Sequence, residues 1–464
     1  DIWEKHLAAI QVESPDKEAK QKFYGAFYRA SFLPHAFNDV DGRYPAFAQK
    51  DSILQLAHDE VYYEDFSMWD TYRALHPLIN LLYPTKAGHM MQSLVHKFEQ
   101  GEWLPIFPCW NSYTAAMIGD HCIAAIGDAC IKDIRNFDIE KAYKAMRKNA
   151  FESPADDKDY KNGMGRRALQ SYLKYGYIPL EDSVPDAFHT KEQVSRTLEY
   201  AYDDFVLSQV AKLLQKEEDY NVLSARAQNY RNVIDPQTGY AQGRHADGTF
   251  LKDQNAFQFT KFITEGAPCH YTWYVPHDPY GLMECMGGKE KFAMKLDSMF
   301  SEHRYWHGNE PCHQVAFMFN YAGEPWKTQQ AVRHIMETEY LNAPGGLSGN
   351  DDAGQMSAWY IFASLGFYPV CPGSPYYILA SPSFPKAVIH LENGQTFTLK
   401  AENASKDNIY IQSVTLNGKP YSKNYISHKD IVHGGEMIFK MDDTPNRDWG
   451  NSPADCPPSL VKIP

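Results

Sequence analysis

EPWKTQQAVRHIMETEYLN, residues 324–342, is the clearest helix in the chain. Pro325 suits the first turn because its missing N–H is one the helix leaves unpaired anyway. Trp326, Val332, Ile335, Met336 and Tyr340 recur at helical spacing, and Pro344-Gly345-Gly346 ends the run. Similar amphipathic stretches recur near 16–32, 64–82, 86–101, 111–132, 139–150, 165–175, 190–217, 218–232, 278–300, 311–321 and 355–366. Beyond about residue 375 the pattern changes to short alternating runs: 376–379, 387–391, 396–399, 409–411 and 437–439. Asn393-Gly394 and Asn417-Gly418 supply turns between them. Strands do not alternate with helices, which disfavours a doubly wound α/β fold, and no repeated period supports a solenoid. The expectation is a mainly α chain: a closed ring of helical hairpins over 1–374, then a C-terminal antiparallel β module over 375–464.

The 464 residues include 44% hydrophobic and 14% aromatic residues, enough for a sizeable core. Net charge is −13, which argues against nucleic acid, since phosphate binding needs a basic face. The apolar runs are far shorter than the ~20 residues of a membrane span. The eight cysteines form no CxxC pair, which disfavours zinc, and most lie in apolar stretches. Neither Gly-x-Ser-x-Gly nor a phosphate-binding Gly-rich loop is present, and 349–355 lacks the spacing of an EF-hand.

Four loop segments gather carboxylates, imidazoles and aromatics. Trp69-Asp70-Thr71-Tyr72-Arg73 opens a helix; Asp70 either stabilises that helix or, with Trp69 and Arg73, holds a sugar. In 264–278, Glu265 sits among Phe262, Ile263, Tyr271 and Trp273, surroundings that raise a carboxyl pKa and suit a general acid. A capping or ion-paired Glu265 is the alternative. Asn309 and Glu310 offer oxygens to a hard cation such as calcium. Asp351 and Asp352 precede a helix, as N-terminal charges or as chemistry. Glycosidic bond cleavage asks for two carboxyls, one giving a proton and one attacking or activating water.

These segments, with Ser67-Met68-Trp69-Asp70-Thr71-Tyr72-Arg73, Met117 to His121, Ser195 to Asp204, Gly308-Asn309-Glu310-Pro311, Tyr321 to Trp326 and Asn350 to Tyr360, resemble the family 92 glycoside hydrolases, calcium-dependent exo-α-mannosidases. The resemblance implies an (α/α)6 barrel, with a β-sandwich preceding this segment in the same protein or as a separate chain. It implies Glu265 as general acid and Asp352 as general base, with Asp351 beside it in the catalytic set. Trp69, Asp70, Arg73, His270, His277 and Asp278 would hold the terminal mannose; Asn309 and Glu310 would lie near a Ca2+ ion that helps distort the ring. The family inverts configuration, so the two carboxyls are expected roughly 6.5–9.5 Å apart.

Two positions depart from the pattern. Asn350 stands where some members carry Asp, and Cys269 where members often carry Trp. Retention of Glu265 favours ordinary mannosides over mannosyl phosphates. The rival functions are a hydrolase of glucosides or mannosyl phosphodiesters on the same scaffold and an inactive carbohydrate-binding protein. A glycan substrate points to a secreted or periplasmic location.

Overall fold

The computed structural model describes residues 2–48 and 50–461. The 324–342 stretch forms the helix Pro325–Thr338, with Thr328, Ala331, Val332, Ile335 and Met336 on its buried side. Longest of the described helices is Gln193–Leu213, enclosed around nearly its whole circumference by Cys122–Ile131, Ile139–Phe151 and Glu217–Arg226. Burial on every side is the environment of a central helix, so its charged residues must find partners inside the protein.

Several expected helices divide or shrink. Residues 64–82 make two helices, Met68–Thr71 and Leu75–Leu82, and 278–300 makes Pro279–Cys285 and Lys289–Ser301. Of the expected 111–132 helix only Cys122–Ile131 is helical, because the preceding segment holds turns at Trp110 and Asn111, both at positive φ. The 311–321 stretch is not α-helical either; it forms the tighter 3-10 turns Glu310–Cys312 and Val315–Asn320.

The C-terminal sheet runs in the order Ile10–Glu13, Lys386–His390, Thr396–Glu402, Gly435–Asp442, Tyr410–Leu416, Lys419–Pro420. Alternation is clear in Thr396–Glu402, where Phe397, Leu399 and Ala401 face inward, and in Gly435–Asp442, where Met437, Phe439 and Met441 do. The expected antiparallel module is corrected at one seam: Gly435–Asp442 pairs parallel to Thr396–Glu402. Chain reversal is not needed there, because 403–434 return the chain to the starting end of the strand. An N-terminal strand, Ile10–Glu13, also joins this sheet against Lys386–His390. Phe367–Tyr368 pairs with Tyr376–Leu379, so hydrogen bonds cross residues 374 and 375. One buried apolar cluster extends from Ile10 through Trp359 to Met441, and helices and sheet share it.

Candidate active site

Four loops are drawn together by backbone and side-chain contacts that can each be named. Gln355, first residue of the helix Gln355–Leu365, accepts hydrogen bonds from the N–H groups of Ala74 and Leu75 at 2.9 and 3.2 Å, pinning the segment after Asp70 to the segment after Asp352. Gly308 and Gly349 bring the third loop in. A Cβ on Gly349 would stand 2.4 Å from the Gly308 carbonyl oxygen, so only glycine permits this approach. Asn309 then donates from Nδ2 to the Glu265 carbonyl at 3.3 Å. The Glu265 loop is itself fixed from behind: Ser195 Oγ accepts from Thr264 N at 2.8 Å, and Val194 N donates to Phe262 O at 3.0 Å.

Where these loops meet, Asp70, Glu310 and Asp352 each offer a ligand oxygen, all within 4.8 Å of one another. Glu310 is 1% exposed, and neither of its carboxylate oxygens meets a hydrogen-bond donor. Burial, and then the negative charges of Asp70 and Asp352, push its pKa well above the ordinary value. Asp70 accepts from Ser67 Oγ at 2.5 Å, and burial followed by the Asp352 charge pushes its pKa up to about 8. Buried carboxylates without donors are costly unless a proton or a cation compensates them. Three clustered hard oxygens are the donor set a calcium ion takes, so the residues present fit that ion.

Glu265 stands open to solvent at φ 50°, and desolvation by the surrounding protein, together with the Asp352 charge, raises its carboxyl pKa. Asp352 is half-buried at φ 46°. Asp351 is engaged elsewhere: it accepts from Ser357 N at 2.9 Å and faces Arg29 Nε at 3.7 Å, holding the start of the Gln355 helix.

Trp69 is 2% exposed and turns its ring to Arg73, whose guanidinium lies 5.0 Å from it, 4.9 Å from Tyr72 and 5.2 Å from Tyr274. One guanidinium nitrogen, Nη2, is buried without a hydrogen-bond partner, a donor left for a ligand. His270 accepts from Ala267 N at Nδ1 and faces the Arg304 carbonyl at 3.2 Å through Nε2, which fixes Nε2 as the protonated nitrogen.

His277 and Asp278 have partners other than the carboxylate trio. His277 Nε2 donates to Ala227 O at 2.8 Å. Asp278 is fully buried, accepts from Tyr230 OH at 2.7 Å, Ser459 Oγ at 2.8 Å and Val461 N at 3.0 Å, and caps Pro279–Cys285 at Gly281 N.

Sequence reasoning assigned no role to Glu199 and His121. Glu199 Oε1 accepts from both Trp69 Nε1 and Tyr271 OH, each at 2.9 Å, tying the Asp70 segment to the Glu265 segment. His121 lies 3.6 Å from Glu199 and 2.9 Å from Asp203; burial opposes its charge, yet these carboxylates raise its pKa to about 9. The available signal was the run Glu199, Asp203, Asp204 on a helix with aromatic residues on its other faces and no side left for solvent.

The family model described as the glycosyl hydrolase family 92 catalytic domain matches residues 1–443. The chain belongs to glycosyl hydrolase family 92. A family 92 alpha-mannosidase from Bacteroides thetaiotaomicron superposes with a TM-score of 0.91 at 38% identity, covering 99% of this chain and 60% of its own. A family 92 inverting mannosidase from the same organism gives 0.90 at 33% identity over 99% of this chain and 64% of its own. An uncharacterized secreted glycosidase of Arthroderma benhamiae is 29% identical across 99% of this chain and 58% of its own length. The chain thus spans about 60% of the length of these relatives.

Proposed function

We propose that this chain is the catalytic part of an inverting exo-α-mannosidase that removes terminal α-linked mannose from glycans. The helices of 1–374 would form an (α/α)6 barrel, with 375–464 a C-terminal β module that shares its core. The observation that carries the reading is the buried trio Asp70, Glu310 and Asp352 beside an accessible carboxyl, Glu265, whose pKa is raised. A binding protein has no use for that pairing, and its cost is explained by chemistry. The inverting mannosidase among the similar structures supports the stereochemistry, and the alpha-mannosidase of 38% identity was also solved in complex with mannoimidazole.

In this mechanism Glu265, whose carboxyl pKa is raised by desolvation, gives a proton to the glycosidic oxygen as the C1–O bond breaks. Asp352 takes a proton from a water whose oxygen attacks C1 from the opposite face, giving β-mannose and the released alcohol. Solvent then reprotonates Glu265 and deprotonates Asp352. Arg73 and Asp70 would bind mannose hydroxyls, a role supported by the unpartnered Arg73 Nη2, and His270 stiffens the loop that follows the acid. Glu310, Asp70 and Asp352, with Asn309 adjacent, would hold calcium. Bound there, the ion supplies a positive template for sugar hydroxyls and Lewis-acid stabilisation of charge.

In the whole protein, a β-sandwich in the same chain or a separate one would complete the pocket, a reading supported by the relatives' greater length. A secreted or periplasmic location is supported by the secreted glycosidase relative. Among the described residues no helix is long and apolar enough to cross a membrane. The test is mannose release from an activated α-mannoside with and without a calcium chelator. Calcium-dependent release supports the proposal; absence of release, or release insensitive to chelation, contradicts it.

A further inference from the structure

Beside the Glu265 loop lies an aromatic surface that the mechanism above does not use. Thr260 N donates to Gly266 O at 3.4 Å, closing a turn that carries Glu265, and Phe259 immediately precedes it. The Phe259 ring is 65% exposed and lies 6.0 Å from Trp306, itself 38% exposed, at an interplanar angle of 34°. His270 packs against both, 6.1 Å from Phe259 and 5.9 Å from Trp306, and its two hydrogen bonds keep it from moving. Trp306 stands three residues before Asn309, the residue bonded to the Glu265 carbonyl. Both exposed rings therefore sit on chain segments that are fastened to the acid.

Large aromatic faces left in water are costly and mark binding surfaces when they are grouped and held rigid. Here the chemistry identifies the occupant. A general acid must lie beside the oxygen it protonates, so the departing group lies on the acid's side of the cleaved bond. If that group is a sugar, one face of its ring presents C–H bonds to the negative face of an aromatic π-system. We propose that Phe259 and Trp306 form the platform for the sugar ring that leaves, and so set the preference for a saccharide leaving group. This inference rests on the α-mannosidase reading.

The test compares Phe259→Ala, Trp306→Ala and the double variant with the unaltered protein, full chain in each case, on α-linked mannobioses and on α-mannosyl fluoride, which has no sugar to release. The platform predicts that the double variant loses about tenfold in kcat/KM on the mannobiose the unaltered protein cleaves fastest. The fluoride should change less than about twofold, and Trp306→Phe should retain most of the mannobiose activity, because a ring remains. Equal losses on both substrates would mean that the rings support the loop or contact another part of the longer protein, and would overturn the proposal. So would no loss on either, or an unaltered protein that cleaves the fluoride but no mannobiose. If the unaltered protein cleaves neither substrate, the α-mannosidase reading itself fails.

Discussion

The Asn309 side-chain amide donates to the backbone carbonyl of Glu265 at 3.3 Å, so the loop that carries Glu310 and the loop that carries the proposed acid share a hydrogen bond. Occupancy of the carboxylate cluster and the position of the acid are therefore mechanically linked. A cation bound at these carboxylates would be expected to order the acid and to add to stability, and its withdrawal to reverse both.

That stability should depend on pH in a defined direction. In the folded chain Asp70 and Glu310 have raised pKa values, Asp70 at about 8, against an ordinary aspartate value of 3.8. Without a cation the folded state holds protons that the unfolded state has released, so stability is fully present below the ordinary carboxylate range and is lost as pH rises through about 8. Thermal unfolding in chelator should show Tm falling from about pH 5 to about pH 8, and saturating calcium should raise Tm more at the higher pH. An equal calcium effect at both pH values would contradict calcium binding to these carboxylates.

Glu265→Gln should reduce kcat/KM on an alkyl α-mannoside by about 10²- to 10⁴-fold, and far less on α-mannosyl fluoride, which needs no proton from the enzyme. Because the Glu265 carboxyl is the protonated partner, its ionisation should produce the alkaline limb of the pH profile, and that limb should vanish in the variant. Equal losses on the two substrates would rule Glu265 out as the acid.

Asp352→Asn should abolish most activity on both substrates, by about 10²-fold or more, since water must still be activated whichever group leaves. The same measurement on Asp351→Asn separates the neighbours. Asp351 accepts from Ser357 N in the first turn of the Gln355–Leu365 helix and faces Arg29, so its loss should lower Tm more than kcat.

Asp278 offers a contrasting case. Its four hydrogen bonds connect Tyr230, Gly281, Ser459 and Val461, so Asp278→Ala should cost about 3 kcal/mol in urea unfolding and leave KM for an α-mannoside nearly unchanged. A large KM effect with little change in stability would restore the sugar-binding role expected from the sequence.

The contrast shows what residue pattern carries and what it omits. The Pro325–Thr338 helix and the alternating strands were legible because each buries one face, which imposes a period on the sequence. The parallel seam at Gly435–Asp442 and the N-terminal strand Ile10–Glu13 were not, because pairing partners far apart in the chain leave no local period. In the candidate site, the convergence of Asp70, Glu310 and Asp352 depends on Gln355 and on the Gly308–Gly349 contact, which no spacing reveals. Asp278, read from the sequence as a sugar ligand, and Glu199, given no role there, are both buried and hydrogen-bonded within the scaffold: a buried acid looks the same in sequence whether it meets substrate or holds the scaffold.

The central claim is that Glu265 and Asp352 act from opposite faces of one sugar, with water between Asp352 and the anomeric carbon. Proton NMR of the first mannose released from an α-mannoside, read before the anomers equilibrate, tests it most directly. The account predicts β-mannose first; α-mannose as the first product would contradict it.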